Sequence, residues 1–210
     1  QPKPTLFPFN YFETKTITYK SRDNKDIPIV IIHKKGIELN GNNPTLLRAY
    51  GGFGSVSSPN YDTGLLHFLE KGGVYAFAKV RGGGEKGKNW HKEGKGLKKI
   101  NSINDFVDAA EFLIAEKYTN PNKLAINGGS HGGLVVGAAM TQRPDLFKVV
   151  VSEMGRLDMA SLDKYTSGIH HFDEYGNPNN KEEFQSLISY SPYHNIKEDV
   201  NYPTCLIITS

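Results

Sequence analysis

Residues 123–140, KLAINGGSHGGLVVGAAM, place Ser130 between two pairs of glycines, after one apolar run and before another. A hydroxyl in Gly128-x-Ser130-x-Gly132 has the spacing of a nucleophile held on a sharp strand-to-helix turn. Glycines are needed around it because a Cβ would collide with the adjoining strand or helix. Such a turn lifts the hydroxyl clear of the sheet. It also aims the first backbone amides of the helix at the point where an oxyanion would form. The amide of His131 is the natural first donor. The His131 side chain points elsewhere at such a turn, and is expected to shape the pocket or the surface rather than act as the catalytic base.

A second oxyanion donor is expected where the apolar segment TLLRAY runs into Tyr50-Gly51-Gly52-Phe53-Gly54. A turn in this position supplies that donor in hydrolases built this way, and a neutral phenol such as that of Tyr50 donates well. A third glycine cluster, VRGGGEKGKNWHKEGKG, matches two phosphate-binding patterns as strings only. Gly82-x-Gly84-x-x-Gly87 should open a helix, but Gly94 and Gly96 interrupt the helix this would require; after Gly87-Lys88 a phosphate loop needs Ser or Thr, and Asn89 is there. The segment is expected to be a long ordered loop at the carboxyl end of a strand, with a structural role for His91.

These residues need a scaffold. Seven strand-like runs recur: KTITYKS, IPIVIIHKK, TLLRAY, GVYAFAKV, KLAING, FKVVVSE and TCLIITS. Several are continuously apolar, as strands covered on both faces are. Helical spacing appears in NSINDFVDAAEFLIAEKYTNP, where Phe106, Ala109, Ala110, Leu113 and Ile114 share a face. Asp105, Asp108, Glu111 and Glu116 take the other positions, and Asn120-Pro121 closes the segment. HGGLVVGAAMTQ is expected to be a small-residue helix behind Ser130, and NKEEFQSLISY a third helix. The short link RDNKD makes the first two strands an antiparallel hairpin. The expected architecture is α/β: a mixed, mostly parallel sheet flanked by helices.

The 210 residues suffice for one domain with a core, and 22% charged against 38% hydrophobic is an ordinary globular balance. A net charge of +3, with lysines scattered among glycines in residues 84–99, is expected to give a solvated face rather than a nucleic-acid groove. No apolar run approaches a membrane span. The single Cys205 cannot form an internal disulfide, and its neighbours suggest a buried, inert strand thiol. Cytoplasm is the expected compartment, with periplasm open to it.

At its three glycine motifs the chain resembles the peptidase domain of the prolyl oligopeptidase family of serine peptidases. The matching stretches are HKKGIELNGNNPTLLRAYGGFG, VRGGGEKGKNWHKEG, INGGSHGGLVVGAAMTQRPDLFKVVV, LDMASLDKYTSG and EYGNPNNKEEFQSLISYSPYHNIK, in the family's order from about Lys15 onward. The resemblance implies an α/β-hydrolase fold, no cofactor and no metal. It implies hydrolysis of short peptides on the carboxyl side of proline through an acyl-enzyme on Ser130. It places Tyr50 and the His131 amide in the oxyanion hole, and Phe53 and Tyr175 in the pocket for the residue before the scissile bond. The chain departs from the family at three pocket positions. His131 stands where asparagine is frequent, His171 where a tryptophan stacks on the substrate proline, and Arg156 where a small apolar residue lies. Histidine and arginine in two walls weaken the case for a proline pocket, which works by apolar area and ring stacking.

A serine hydroxyl needs a base. In α/β-hydrolases the acid and then the histidine follow the serine in sequence, and the resemblance places both beyond Ser210. Candidates within the chain, Asp158 or Asp173 with His170, His171 or His194, fall in pocket and helix regions instead. Residues 1–210 are therefore expected to be one partial peptidase domain. Its propeller and C-terminal end would come from the rest of the same polypeptide, and little hydrolysis is expected from the piece alone. The alternative is a non-catalytic fragment of the same fold that binds peptides or pairs with another chain.

Overall fold

The computed structural model describes residues 11–57, 63–164 and 168–209. The elements in chain order are β1 (Phe12–Lys20), β2 (Asp26–Lys34), β3 (Thr45–Ala49), α1 (Thr63–Glu70), β4 (Val74–Ala78), α2 (Lys88–Lys92), α3 (Ile100–Ala115), β5 (Leu124–Gly129), α4 (His131–Gln142), β6 (Val149–Glu153), α5 (Phe172–Tyr175), α6 (Lys181–Tyr190), α7 (Pro192–Asn195) and β7 (Thr204–Ile208). The strands form one sheet in the order β1-β2-β4-β3-β5-β6-β7. β1 and β2 form an antiparallel hairpin, and β2 also runs antiparallel to β4. From β4 onward every pairing is parallel. Each expected strand is present, and the mixed sheet has its antiparallel end first.

The apolar runs explain the packing. Ile29, Ile31, Leu47, Ala76 and Ile126 point to one face, where Phe106, Ala110 and Leu113 of α3 and Val135, Val136 and Ala139 of α4 close over them. Burying each of the larger side chains contributes about 1.5–3 kcal/mol before entropy is counted. On the other face α1 covers β2 and β4 through Leu69, with Leu65 and Phe68 beside it. A third cluster joins Ile103, Leu134 and Ala138 to Met159, Tyr175, Leu187 and Tyr190, which fixes α5 and α6 on α3 and α4. Asn180 caps α6, its Oδ1 accepting from the amides of Glu182 and Glu183 at 3.0 and 3.1 Å.

Several expectations change. α3 ends at Ala115, well before Asn120-Pro121. Lys117 takes φ 58°, and the amides of Lys117 and Tyr118 return to the carbonyls of Ile114 and Leu113. That is a Schellman ending with lysine where glycine is usual, which hid it from the sequence. On α3, Asp105 and Asp108 lie off the expected apolar face and are buried. Arg81, itself buried, donates from Nε and Nη2 to Asp105 at 2.9 and 2.6 Å, and Arg22 pairs with Asp108. Lys99 is likewise buried within the lysine-rich segment expected to be a solvated face. Cys205 is exposed. β7 stands last in the sheet order, paired with β6, and its residues are exposed.

The segment expected to be one long loop contains α2, a five-residue helix that opens just after Gly87 and buries Trp90. Its glycines serve close packing. A Cβ on Gly84 would lie 2.1 Å from the carbonyl oxygen of Gly54, so this segment can seat directly against the Tyr50–Gly54 turn only because the side chain is absent. α1 was not anticipated. Its signal was Leu65, Phe68 and Leu69 at i, i+3 and i+4.

Candidate active site

Ser130 stands between the last residue of β5 and the first of α4 with φ 53° and ψ −118°, an unfavourable backbone region for a residue with a side chain. The sheet and helix hold it there. Its amide donates to the carbonyl of Glu153 at 2.7 Å, and its carbonyl accepts from Gly133 at 2.9 Å. A Cβ on Gly128 would lie 2.1 Å from the carbonyl oxygen of Gly132, so the chain can fold back on itself only with glycine there. The residue is exposed at the tip of this turn. Because β3 and β5 are parallel neighbours, with Arg48 opposite Asn127, their ends bring Tyr50 and Ser130 to the same edge of the sheet.

A cavity of about 340 Å³ opens at this edge. It is lined by every residue expected to form the site: Ser130, Tyr50, His131, Phe53, Arg156, His171 and Tyr175. Met154 lines it too and was missed. Its signal was its position directly after β6, at the carboxyl end of a parallel strand. A larger cavity of about 730 Å³ lies on the sheet face that carries α1 and does not include Ser130.

The rings around the smaller cavity support one another. His131 is buried and stacks on Tyr175, with centroids 5.5 Å apart and 27° between planes. Its Nδ1 is 2.9 Å from the Tyr175 hydroxyl. Tyr50 meets His131 edge-on at 5.6 Å, and Phe53 meets His171 at 5.3 Å. Of the two expectations for the His131 side chain, it shapes the pocket and has no part in the surface. Burial, and then the positive charge of Lys99, hold its pKa well below the ordinary range, so the imidazole is neutral. Burial also lowers His171, helped by Arg156 and His170. Burial raises Tyr175, with Glu174 adding to the effect, so the phenol keeps its proton.

Beneath the rings lies a charge cluster that sequence reasoning missed. Glu174, next to Tyr175 and buried, accepts from Lys99 Nζ at 2.5 Å and contacts His91 Nε2 at 2.7 Å. Lys99 is brought down to about 8 by burial, against the opposing charge of Glu174. His91 thus ties α2 to α5.

The internal alternatives to a distant base are not assembled. Among the described residues no hydrogen bond joins the Ser130 hydroxyl to a histidine. Asp173 pairs with Lys95. His194 contacts both Ser191 Oγ and Asp158 through the same nitrogen, Nδ1, at 2.9 and 3.8 Å, so its ring does not bridge an acid and a hydroxyl.

The family model described as the Prolyl oligopeptidase family matches residues 59–210. The chain belongs to the prolyl oligopeptidase family. It is 43% identical to a prolyl endopeptidase of Elizabethkingia meningoseptica, over all of this chain and 30% of that protein. Against a prolyl endopeptidase of Dictyostelium discoideum the identity is 42%, over all of this chain and 28% of the relative. Prolyl oligopeptidase B from Galerina marginata, solved without ligand, superposes with a TM-score of 0.95 at 37% identity, covering 99% of this chain and 30% of that one. A solved prolyl endopeptidase at 44% identity also gives 0.95, over 97% and 30%. The sheet with its flanking helices is the α/β-hydrolase fold of these prolyl oligopeptidases. The chain spans about 30% of the length of the relatives it matches.

Proposed function

We propose that the protein carrying this chain is a serine peptidase that cleaves short peptides through an acyl-enzyme on Ser130. The observation that carries this reading is Ser130 on its strained turn, exposed and sharing one cavity with Tyr50. Ser130 Oγ bonds to the scissile carbonyl carbon and its proton passes to a base. The carbonyl electrons move to oxygen, where the Tyr50 hydroxyl and the His131 amide donate to the oxyanion. As the C–N bond breaks, the base returns the proton to the departing amine. Water then hydrolyses the ester by the same route. On this reading the base is a histidine, oriented by a carboxylate, and both come from the polypeptide beyond residue 210. A propeller domain, also from the rest of the protein, would screen peptides by size.

For the residue before the scissile bond, the relatives' names favour proline, and Phe53 and Tyr175 are suitable aromatic walls. Arg156 and His171 are not. The reading is tested with a fluorophosphonate probe on the full-length protein. Covalent labelling that disappears in Ser130→Ala is expected, and equal labelling of both proteins would overturn it.

A further inference from the structure

α5 carries Tyr175 into the cavity wall, yet it is four residues long. A single turn makes too few internal hydrogen bonds to fix its own orientation, so the direction of the ring must be set from outside. Packing with Ile103, Leu134 and Leu187 buries the ring, but apolar contact is non-directional. Two polar contacts of α5 are weak. Asp173 meets Lys95 in solvent at 2.8 Å, and the Tyr190 hydroxyl reaches the Tyr175 carbonyl at 3.4 Å.

Glu174 is held differently. It is buried, and both carboxylate oxygens are engaged, Oε1 by Lys99 Nζ at 2.5 Å and Oε2 by His91 Nε2 at 2.7 Å. Lys99 leads into α3, and His91 belongs to α2. The carboxylate is thus pinned from two elements, which limits rotation of α5 about its axis. The Lys99 ammonium also lies 5.6 Å from the centre of the Tyr175 ring. Tyr175 in turn stacks on His131 and meets Phe53 edge-on at 5.7 Å. Glu174 is not among the described residues that line the cavity, so its effect on a substrate passes through Tyr175.

The other side of the cavity has separate fastenings. The Gly51 carbonyl accepts from Ser102 Oγ at 3.3 Å, and the Gly54 amide donates to the Gly82 carbonyl at 3.0 Å, which seats the turn that carries Tyr50. Ser130 is held by Glu153 and Gly133. None of these bonds involves Glu174. A displaced α5 would therefore move the pocket wall more than the nucleophile.

We propose that Glu174 is a positioning residue: by engaging Lys99 and His91 together, it sets the Tyr175 wall and so the discrimination among residues before the scissile bond. The inference rests on the acyl-enzyme reading of Ser130.

The test uses the full-length protein and succinyl-Ala-Ala-X-aminomethylcoumarin peptides with X as Pro, Phe, Glu or Ala. The native protein is expected to favour one of the larger residues over Ala in kcat/KM. Glu174→Gln turns an amide donor toward Lys99 or His91 in place of an accepting oxygen. The preference over Ala should then fall about tenfold, the scale of one misplaced wall contact, while fluorophosphonate labelling of Ser130 persists. Lys99→Met combined with Glu174→Leu replaces the ion pair by apolar groups, an exchange that is often neutral or stabilising. Its urea midpoint should lie at or above the native one, with the preference lost all the same. A merely structural ion pair would leave the preference intact in that double variant. Preference unaltered in both variants, an equal fall for all four peptides, loss of labelling in both variants, or a native protein that does not discriminate would each overturn the inference and leave the peptidase reading in place. Absence of labelling and cleavage in the native protein would remove the two together.

Discussion

The imidazole of His131 lies flat on the ring of Tyr175 and its Nδ1 meets the Tyr175 hydroxyl at 2.9 Å. Burial keeps the phenol protonated, and the contact joins two groups that can each donate or accept. The residue directly after Ser130 therefore fixes the far wall of the pocket. On the proposed reading its backbone amide and its side chain would serve the same site from opposite directions.

This buried ring should make the protein sensitive to acid. The unfolded chain protonates His131 near its ordinary value of 6.5, while the folded chain holds the pKa well below that. Below about pH 6.5 the unfolded state binds the extra proton, so stability is present above that pH and is lost as pH falls, by about 1.4 kcal/mol per pH unit for one group. Urea denaturation at pH 5 and pH 7 should show a smaller acid loss for His131→Asn than for the native protein. Equal losses would place the imidazole in water.

Tyr50 should affect turnover more than binding. Removing its hydroxyl in Tyr50→Phe takes away one oxyanion donor, which typically costs about 10²–10³ in kcat. Steady-state kinetics on the full-length protein should show that loss with KM little altered. A change confined to KM would move Tyr50 from the oxyanion hole to the pocket wall.

Asp105 should matter for stability and not for chemistry. It is fully buried and holds the buried Arg81, which also reaches the half-exposed Asp23. Asp105→Ala removes the buried partner of a buried guanidinium and leaves only Asp23 to hold it, a loss of about 3 kcal/mol. Asp23→Ala should cost about 1 kcal/mol, because solvent screens that partner. Denaturant midpoints with unchanged m-values would check the ranking.

Gly128 should tolerate no side chain. In Gly128→Ala the new Cβ would meet the Gly132 carbonyl oxygen at 2.1 Å, and the start of α4 must shift. Fluorophosphonate labelling of Ser130 should be lost even in protein that remains folded by circular dichroism. Native labelling would mean the turn relaxes without moving the hydroxyl.

The sequence revealed the sheet well because its strands are short apolar runs separated by turn residues, from IPIVIIHKK to FKVVVSE. It revealed the placement of Ser130 and Tyr50 because glycine patterns mark backbone constraints that few other residues meet. What it hid was tertiary pairing. Lys99 and Glu174 lie 75 positions apart, and nothing near either one announces a partner. Asp105 stood off the apolar face of its helix with no sign of burial, because Arg81, which pairs with it, belongs to another element. Lys117 hid the end of α3 by adopting a conformation that glycine usually takes.

The φ of 53° at Ser130 has a consequence for the choice of hydroxyl. Threonine could supply the same oxygen, but its second branch at Cβ crowds a left-handed backbone that serine only barely tolerates. At this position the alcohol must be a primary one. The stereochemistry of the turn, before any question of reactivity, decides which of the two hydroxyl amino acids can occupy it.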